Sequence, residues 1–234
     1  MSTTIRSDAA REVVLEVAGE DIHADLVIPD DAHVLVVMAY PTAFGRHEAP
    51  HTHVARLFNQ QGFATLLCDL LTSEEEMLGE LTGEFRRDVP LLTTRLSAIL
   101  DWCEAQPELR HLPVGLVGIG TAAAVALQCA AHRAKIVRAV VVRGGRLDLA
   151  WWALGRVHAP TLLVAGEHDT ALREVYRAYV PYIGSQLKEV AIVPQACSPF
   201  AEQHMLDEFA ELAAGWFTRH LDQRTAHGTI WHRL

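Results

Sequence analysis

Short apolar runs rich in β-branched residues alternate with longer segments of helical period along most of the chain. A strand presents every second residue to one face and a helix every third or fourth, so the two patterns separate. Residues 12–18 (EVVLEVA) and 22–28 (IHADLVI), split by Gly19, predict two strands joined in a hairpin, the second alternating like a half-exposed edge. Six further runs, at 33–40, 63–70, 112–119, 137–143, 160–166 and 188–194, are nearly continuous in apolar residues and predict strands covered on both faces. Helices between them show buried stripes: Val54, Leu57 and Phe58, then Leu92, Leu96, Ile99 and Cys103. Two later stripes follow, Leu172, Val175, Tyr176, Tyr179 and Ile183, then Met205, Phe209, Leu212 and Trp216. Eight strands alternating with helices predict an α/β protein built on a mostly parallel sheet with helices on both faces. No repeat, low-complexity tract or Gly/Ser linker interrupts the pattern, so residues 1–234 read as one domain. Residues 222–234 read as a tail whose Ile230 and Trp231 either dock or fray, and a docked tail would offer a homodimer or partner contact.

Composition narrows the class. At 234 residues, half of them hydrophobic and 21% charged, the chain suits one α/β domain. No run approaches the ~20 apolar residues of a membrane span, and the first twenty residues lack a basic start followed by an apolar middle; a cytoplasmic protein is expected. A formal charge of -9 argues against nucleic acid and anionic membranes as partners, because phosphate backbones are held by clustered Lys and Arg. Cys68, Cys103, Cys129 and Cys197 are widely spaced with no C-x-x-C pair, which predicts free thiols and no zinc knuckle. Nothing in the sequence calls for a cofactor.

Several local strings then fall into a familiar order: VVMAYPTAFGRH after the third strand, GFATLLCDLLTSEEE at the fourth, LPVGLVGIGTAAA at the fifth, VVVRGGRLDLA at the sixth, APTLLVAGEHDT at the seventh and VPQACSPF after the eighth. Over about residues 34–221 the chain resembles the α/β-hydrolase superfamily, in its dienelactone-hydrolase-like branch and without a lid domain. That resemblance implies a Ser or Cys nucleophile at a strand-to-helix elbow, G-x-S-x-G, an acid after the seventh strand and a His after the eighth. Here the elbow reads Gly118, Ile119, Gly120, Thr121, Ala122, which puts Gly120 at the nucleophile position. Gln195, Ala196, Cys197 and Ser198 stand where the base would be, with Ser198 in the histidine's place. A hydroxyl cannot take a proton from another hydroxyl at neutral pH. The acid position survives as Asp169, although a carboxylate there also caps the following helix. Tyr40 and Pro41 replace the His-Gly pair that often ends the third strand, which leaves the amides of Thr42 and Thr121 as oxyanion donors, since proline has none. A glycine at a strained elbow also relieves the strain a side chain would impose. The expectation is a member of this branch without serine-hydrolase chemistry, which binds a small ligand or a partner. The alternatives are an enzyme using the same pocket for cyclisation, elimination or water attack through Asp169, His47 or Cys197, and a divergent hydrolase.

His47, His51 and His53 lie near Glu48, but their spacing about Pro50 points them apart and predicts no metal site. Cys197 is a candidate thiol beside the old base position, with a packed inert thiol as the competing reading. Arg46, Arg143 and Arg146 follow strand ends, where the loops of an α/β sheet surround a ligand crevice, and together they suggest a small anion. The competing reading ties them into ion pairs with Asp69, Asp148 or Glu167. Trp151 and Trp152 follow directly and read as a pocket wall or a partner patch.

Overall fold

The computed structural model describes residues 10–17, 19–197 and 202–222. Eight strands form one sheet: β1 (Arg11–Val17), β2 (Glu20–Val27), β3 (Val34–Tyr40), β4 (Phe63–Asp69), β5 (Val114–Ile119), β6 (Val137–Arg143), β7 (Thr161–Gly166) and β8 (Lys188–Val193). Their spatial order is β1-β2-β4-β3-β5-β6-β7-β8. β1 and β2 form the expected antiparallel hairpin and β2 runs antiparallel to β4; every other pair is parallel. This is the α/β-hydrolase fold.

Seven helices connect and cover the sheet among the described residues: α1 (Ala49–Gln60), α2 (Ser73–Gly79), α3 (Glu84–Arg87), α4 (Val89–Ala105), α5 (Thr121–His132), α6 (Thr170–Tyr179) and α7 (Gln203–Leu221). None is long and apolar enough to cross a membrane. Strand alternation divides the core in two. Leu35, Val37 and Ala39 of β3 face the side of α4 and α5, while Val34, Val36, Met38 and Tyr40 face α1 and α7. On the second side Phe58, Phe63 and Phe217 meet edge to face with ring centroids 6.0 to 6.5 Å apart. Such aromatic pairs add about 0.5 to 1.5 kcal/mol beyond the area they bury.

Helix starts follow local chemistry. Asp88 accepts the Leu91 amide at 3.0 Å and opens α4. Thr72 and Glu75 form a reciprocal capping box at the start of α2. The short α2 and α3 are inserted between β4 and α4, and the T-x-x-E of Thr72 and Glu75 is the local sequence that opens α2. One strand departs from expectation: β8 is an edge, paired only with β7, and while Val193 is buried and Ala191 packs against the core on the α7 side, Val190 and Ile192 on its other face are exposed.

The order of the strands decides where a ligand can sit. After β3 the chain crosses to β4 on one side, and after β5 it crosses to β6 on the other. The connections therefore diverge above the carboxyl ends of β3 and β5, which opens a crevice there.

Candidate functional site

Gly120 stands at the apex of the turn from β5 into α5, with φ 59° and ψ -120°. Its amide donates to the Arg143 carbonyl at 3.2 Å, and its own carbonyl accepts from the Ala123 amide at 3.3 Å. This is the sharp, positive-φ elbow expected of the fold. A Cβ placed on Gly120 would meet nothing within 4 Å, so the apex opens into free space rather than into packing. Gly118 is glycine for another reason: a Cβ there would lie 2.6 Å from the Ala122 carbonyl oxygen and 2.7 Å from the Ala123 Cα, so helix and strand could not approach. No side chain caps the start of α5.

The end of β3 brings polar groups to the same crevice. Tyr40 is 2% exposed, and no described protein group hydrogen-bonds its hydroxyl or the buried hydroxyl of Thr42. The Tyr40 ring stacks on His51 of α1, with centroids 4.0 Å apart. His51 Nδ1 lies 2.7 Å from the Gly45 carbonyl, which can only accept, so this nitrogen carries the proton. Burial lowers the His51 pKa from its ordinary value, against the opposing pull of that carbonyl and Glu48. Burial also holds the Tyr40 phenol well above its ordinary range, only partly offset by the Arg143 guanidinium. Arg143, at the end of β6 and on the same face of the sheet, lies over the Phe209 ring of α7 at 5.1 Å. Burial pushes its pKa down to about 10, which leaves it charged at neutral pH. Tyr40, Thr42, His51 and Arg143 thus form a buried polar cluster beside the elbow. Sequence spacing gave no hint that His51 belongs to it, since stacking on Tyr40 is a tertiary contact.

The three arginines do not converge. Arg46 Nη1 reaches Asp69 at 2.5 Å, its Nε reaches Asp25 at 3.3 Å and its Nη2 reaches Glu12 at 2.9 Å. It is a structural pin between the first hairpin and β4. Burial raises the Asp69 pKa even though Arg46 opposes it. Arg146 turns outward and forms a two-point pair with Asp148, at 2.8 and 2.7 Å. In both cases the nearest carboxylate decides the direction, and only Arg143 remains at the crevice.

Other expected residues find different places. His47 is 57% exposed, with Nδ1 3.6 Å from Asp25, on the β2 side of the crevice. With His51 on the Gly45 carbonyl and His53 on Asp207 at 2.6 Å, the three histidines serve three unrelated partners. Asp169 caps α6 by accepting the Leu172 amide at 3.1 Å. Thr121 is the first residue of α5. Trp151 is exposed, and Trp152 packs against Arg156 and His132 on the outer surface, so neither forms a wall of the crevice. Cys197 is exposed, which removes the packed reading, whereas Cys68, Cys103 and Cys129 are buried with pKa values raised by burial. The loops after β7 and β8 lie side by side, with the His168 amide on the Ala196 carbonyl at 2.9 Å and the Gln195 amide on Glu167 at 2.9 Å. Ser198 lies outside the described residues, as do Ile230 and Trp231 of the tail.

The family model for dienelactone hydrolases matches residues 22–185, a span that contains the elbow, most of β2 and every strand from β3 to β7. The chain belongs to the dienelactone hydrolase family. A solved dienelactone hydrolase from Anabaena variabilis is 37% identical and superposes with a TM-score of 0.87, over 92% of this chain and 99% of that one. Est1E from Butyrivibrio proteoclasticus shares the fold at a TM-score of 0.72 and 14% identity, over 89% of this chain and 98% of that one. Proteins of two Mycobacterium tuberculosis strains, each named "Putative phosphoribosyl transferase", are 40% identical over 211 residues, which is 90% of this chain and 46% of theirs. The chain thus spans about half the length of the curated relatives it matches. Within this family the elbow of the present member carries glycine at its apex.

Proposed function

We propose that this chain is a dienelactone-hydrolase-family domain that has given up serine-hydrolase chemistry and uses the crevice at its elbow to bind a small polar ligand. The observation that carries this reading is Gly120 at the positive-φ apex: the residue aimed into the crevice has no atom with which to attack a carbonyl. The base position is occupied by Ser198, which cannot accept the proton such an attack would release. What favours a ligand over an empty remnant is the pair of buried hydroxyls, on Tyr40 and Thr42, that no group among the described residues hydrogen-bonds. Leaving a buried polar group unsatisfied costs about 1 to 3 kcal/mol, and a bound ligand offsets that cost. Arg143 supplies a positive charge on the same side, so carbonyl, phosphate and carboxylate oxygens all suit the site.

A second reading rests on the relatives from M. tuberculosis. Their name denotes a phosphoribosyl transferase and their length is about twice that matched here, so this domain would act as the companion of a phosphoribosyl transferase unit, in the same chain or a separate one. The two readings are compatible if the ligand of the elbow is a substrate or product of that unit.

The test compares wild type with Gly120→Ala in turnover of activated esters and dienelactone-like lactones, and in labelling by a fluorophosphonate. Equal, background-level turnover and no label are expected. Stoichiometric labelling of Thr121, Cys197 or Ser198 would overturn the non-hydrolytic reading. For the ligand, a thermal-shift screen of polar metabolites is run on wild type and Tyr40→Phe. A hit that stabilises only the wild type supports the site, and equal shifts in both proteins exclude it.

A further inference from the structure

At the end of the sheet opposite the elbow, the end of α4, the loop before β5, the turn between α5 and β6 and the last turn of α7 line an open-mouthed cavity of about 390 Å³. Leu109, Leu112 and Ile136 give it an apolar, buried floor. Its rim carries Arg110, His111, Lys135 and Arg138, all exposed, with Glu104 as the one carboxylate of the lining. Three permanent cations against one anion is an unusual balance for a chain of formal charge -9.

How those cations are used sets them apart. Arg46, Arg95 and Arg146 each hold a carboxylate, at 2.5, 2.6 and 2.7 Å. Arg110, Lys135 and Arg138 make no side-chain hydrogen bond or ion pair with any described residue. Like charges on the rim of one opening repel, and an anion between them converts that repulsion into attraction. At the inner edge His220 adds a buried Nε2 with no hydrogen-bond partner among the described residues, its ring packed on Trp216 at 4.3 Å. Burial, followed by the neighbouring Arg219, lowers the His220 pKa, so at neutral pH the ring is uncharged and offers one donor and one acceptor nitrogen.

We propose that this cavity is a binding site for a small phosphate ester, with the phosphate held by Arg110, Lys135 and Arg138 and the body of the molecule against Leu112 and His220. The charge matches: three cations less Glu104 leave two positive charges, and a phosphate monoester carries about -1.5 to -2 at pH 7. The volume matches too, since small-molecule sites run from about 300 to 1,000 Å³. The site is separate from the elbow crevice and does not depend on how that crevice is read.

Inorganic pyrophosphate is the probe, titrated calorimetrically into the full chain at low and at physiological salt. Saturable binding that weakens with salt is expected, and Lys135→Gln/Arg138→Gln should weaken it tenfold or more, since each lost contact is charge-assisted. Arg173→Gln/Arg177→Gln on α6 removes the same net charge and should bind as wild type does. Amide shifts in the titrated protein should centre on residues 109–114 and 135–138. Absence of saturable binding at millimolar pyrophosphate, equal weakening in both double variants, or shifts centred on Gly120 would each overturn the proposal.

Discussion

Gly120→Ser and Gly120→Ala should both lower stability, and by nearly the same amount. The perturbation is confined to the backbone. A Cβ at position 120 meets nothing within 4 Å, so the added carbon overlaps no neighbour in either variant and gains no packing there. The remaining cost is that of holding a residue with a Cβ at φ 59°, ψ -120°, a region populated almost entirely by glycine. Such strain amounts to about 1 to 3 kcal/mol for an ordinary residue. The lower half of that range is appropriate here, because a Cβ at this position meets no neighbour and adds no steric cost to the strain. At about 2 to 4 °C per kcal/mol for a domain of this size, the melting temperature should fall by roughly 2 to 8 °C. Scanning calorimetry of wild type and both variants under identical conditions checks it, with circular dichroism to show that the fold is retained. The serine variant should gain no ester turnover, because a nucleophile without a base remains protonated. A melting temperature unchanged or raised in both variants would refute the reasoning, since the strain would then not exist.

Arg46→Gln should cost far more than its distance from the elbow suggests: it leaves Asp69, 1% exposed, without its cation, and breaking a buried pair in this way costs about 3 to 5 kcal/mol. Urea unfolding measures it, and a loss below 1 kcal/mol would show that the pin is dispensable. Arg146→Ala is the contrasting case, an exposed pair expected to contribute no more than about 1 kcal/mol by the same assay. Glu75 gives a pH test. Burial raises its pKa, but hydrogen bonds from Arg95 and Thr72 outweigh burial and hold it below the ordinary value of 4.5. A depressed acid contributes stability that is full above the unfolded pKa and is lost as pH falls through the folded one. Glu75→Gln should therefore flatten the fall in urea midpoint below about pH 4.5; parallel curves for the two proteins would contradict this.

Much of the architecture is local information. Every one of the eight strands falls within two residues of where the apolar runs place it, because burial on both faces leaves an uninterrupted apolar string and burial on one leaves alternation. Phe58, Leu96, Tyr176 and Phe209 are buried as their helical spacing requires. The G-x-G-x-A string and its Gly120 were legible for the same reason: an elbow is made by consecutive residues, so its unusual φ is written where it occurs.

The direction of a charged side chain is another matter. Arg46 could have turned to the crevice or to Asp69, and Arg146 to the crevice or to Asp148. Nothing in their own neighbourhood of sequence separates these choices for Arg46, whose partners Glu12, Asp25 and Asp69 lie on three different strands. Stacking of Tyr40 on His51, the lack of a described partner for two buried hydroxyls and the meeting of Arg110, Lys135 and Arg138 around one cavity depend equally on how strands and helices pack. Periodicity determined the elements and the backbone of the elbow, because both follow from residues close in sequence. Partners of polar groups were decided only by the fold, because a charge pairs with the nearest opposite charge in space, and that distance is set by the packing of the whole sheet.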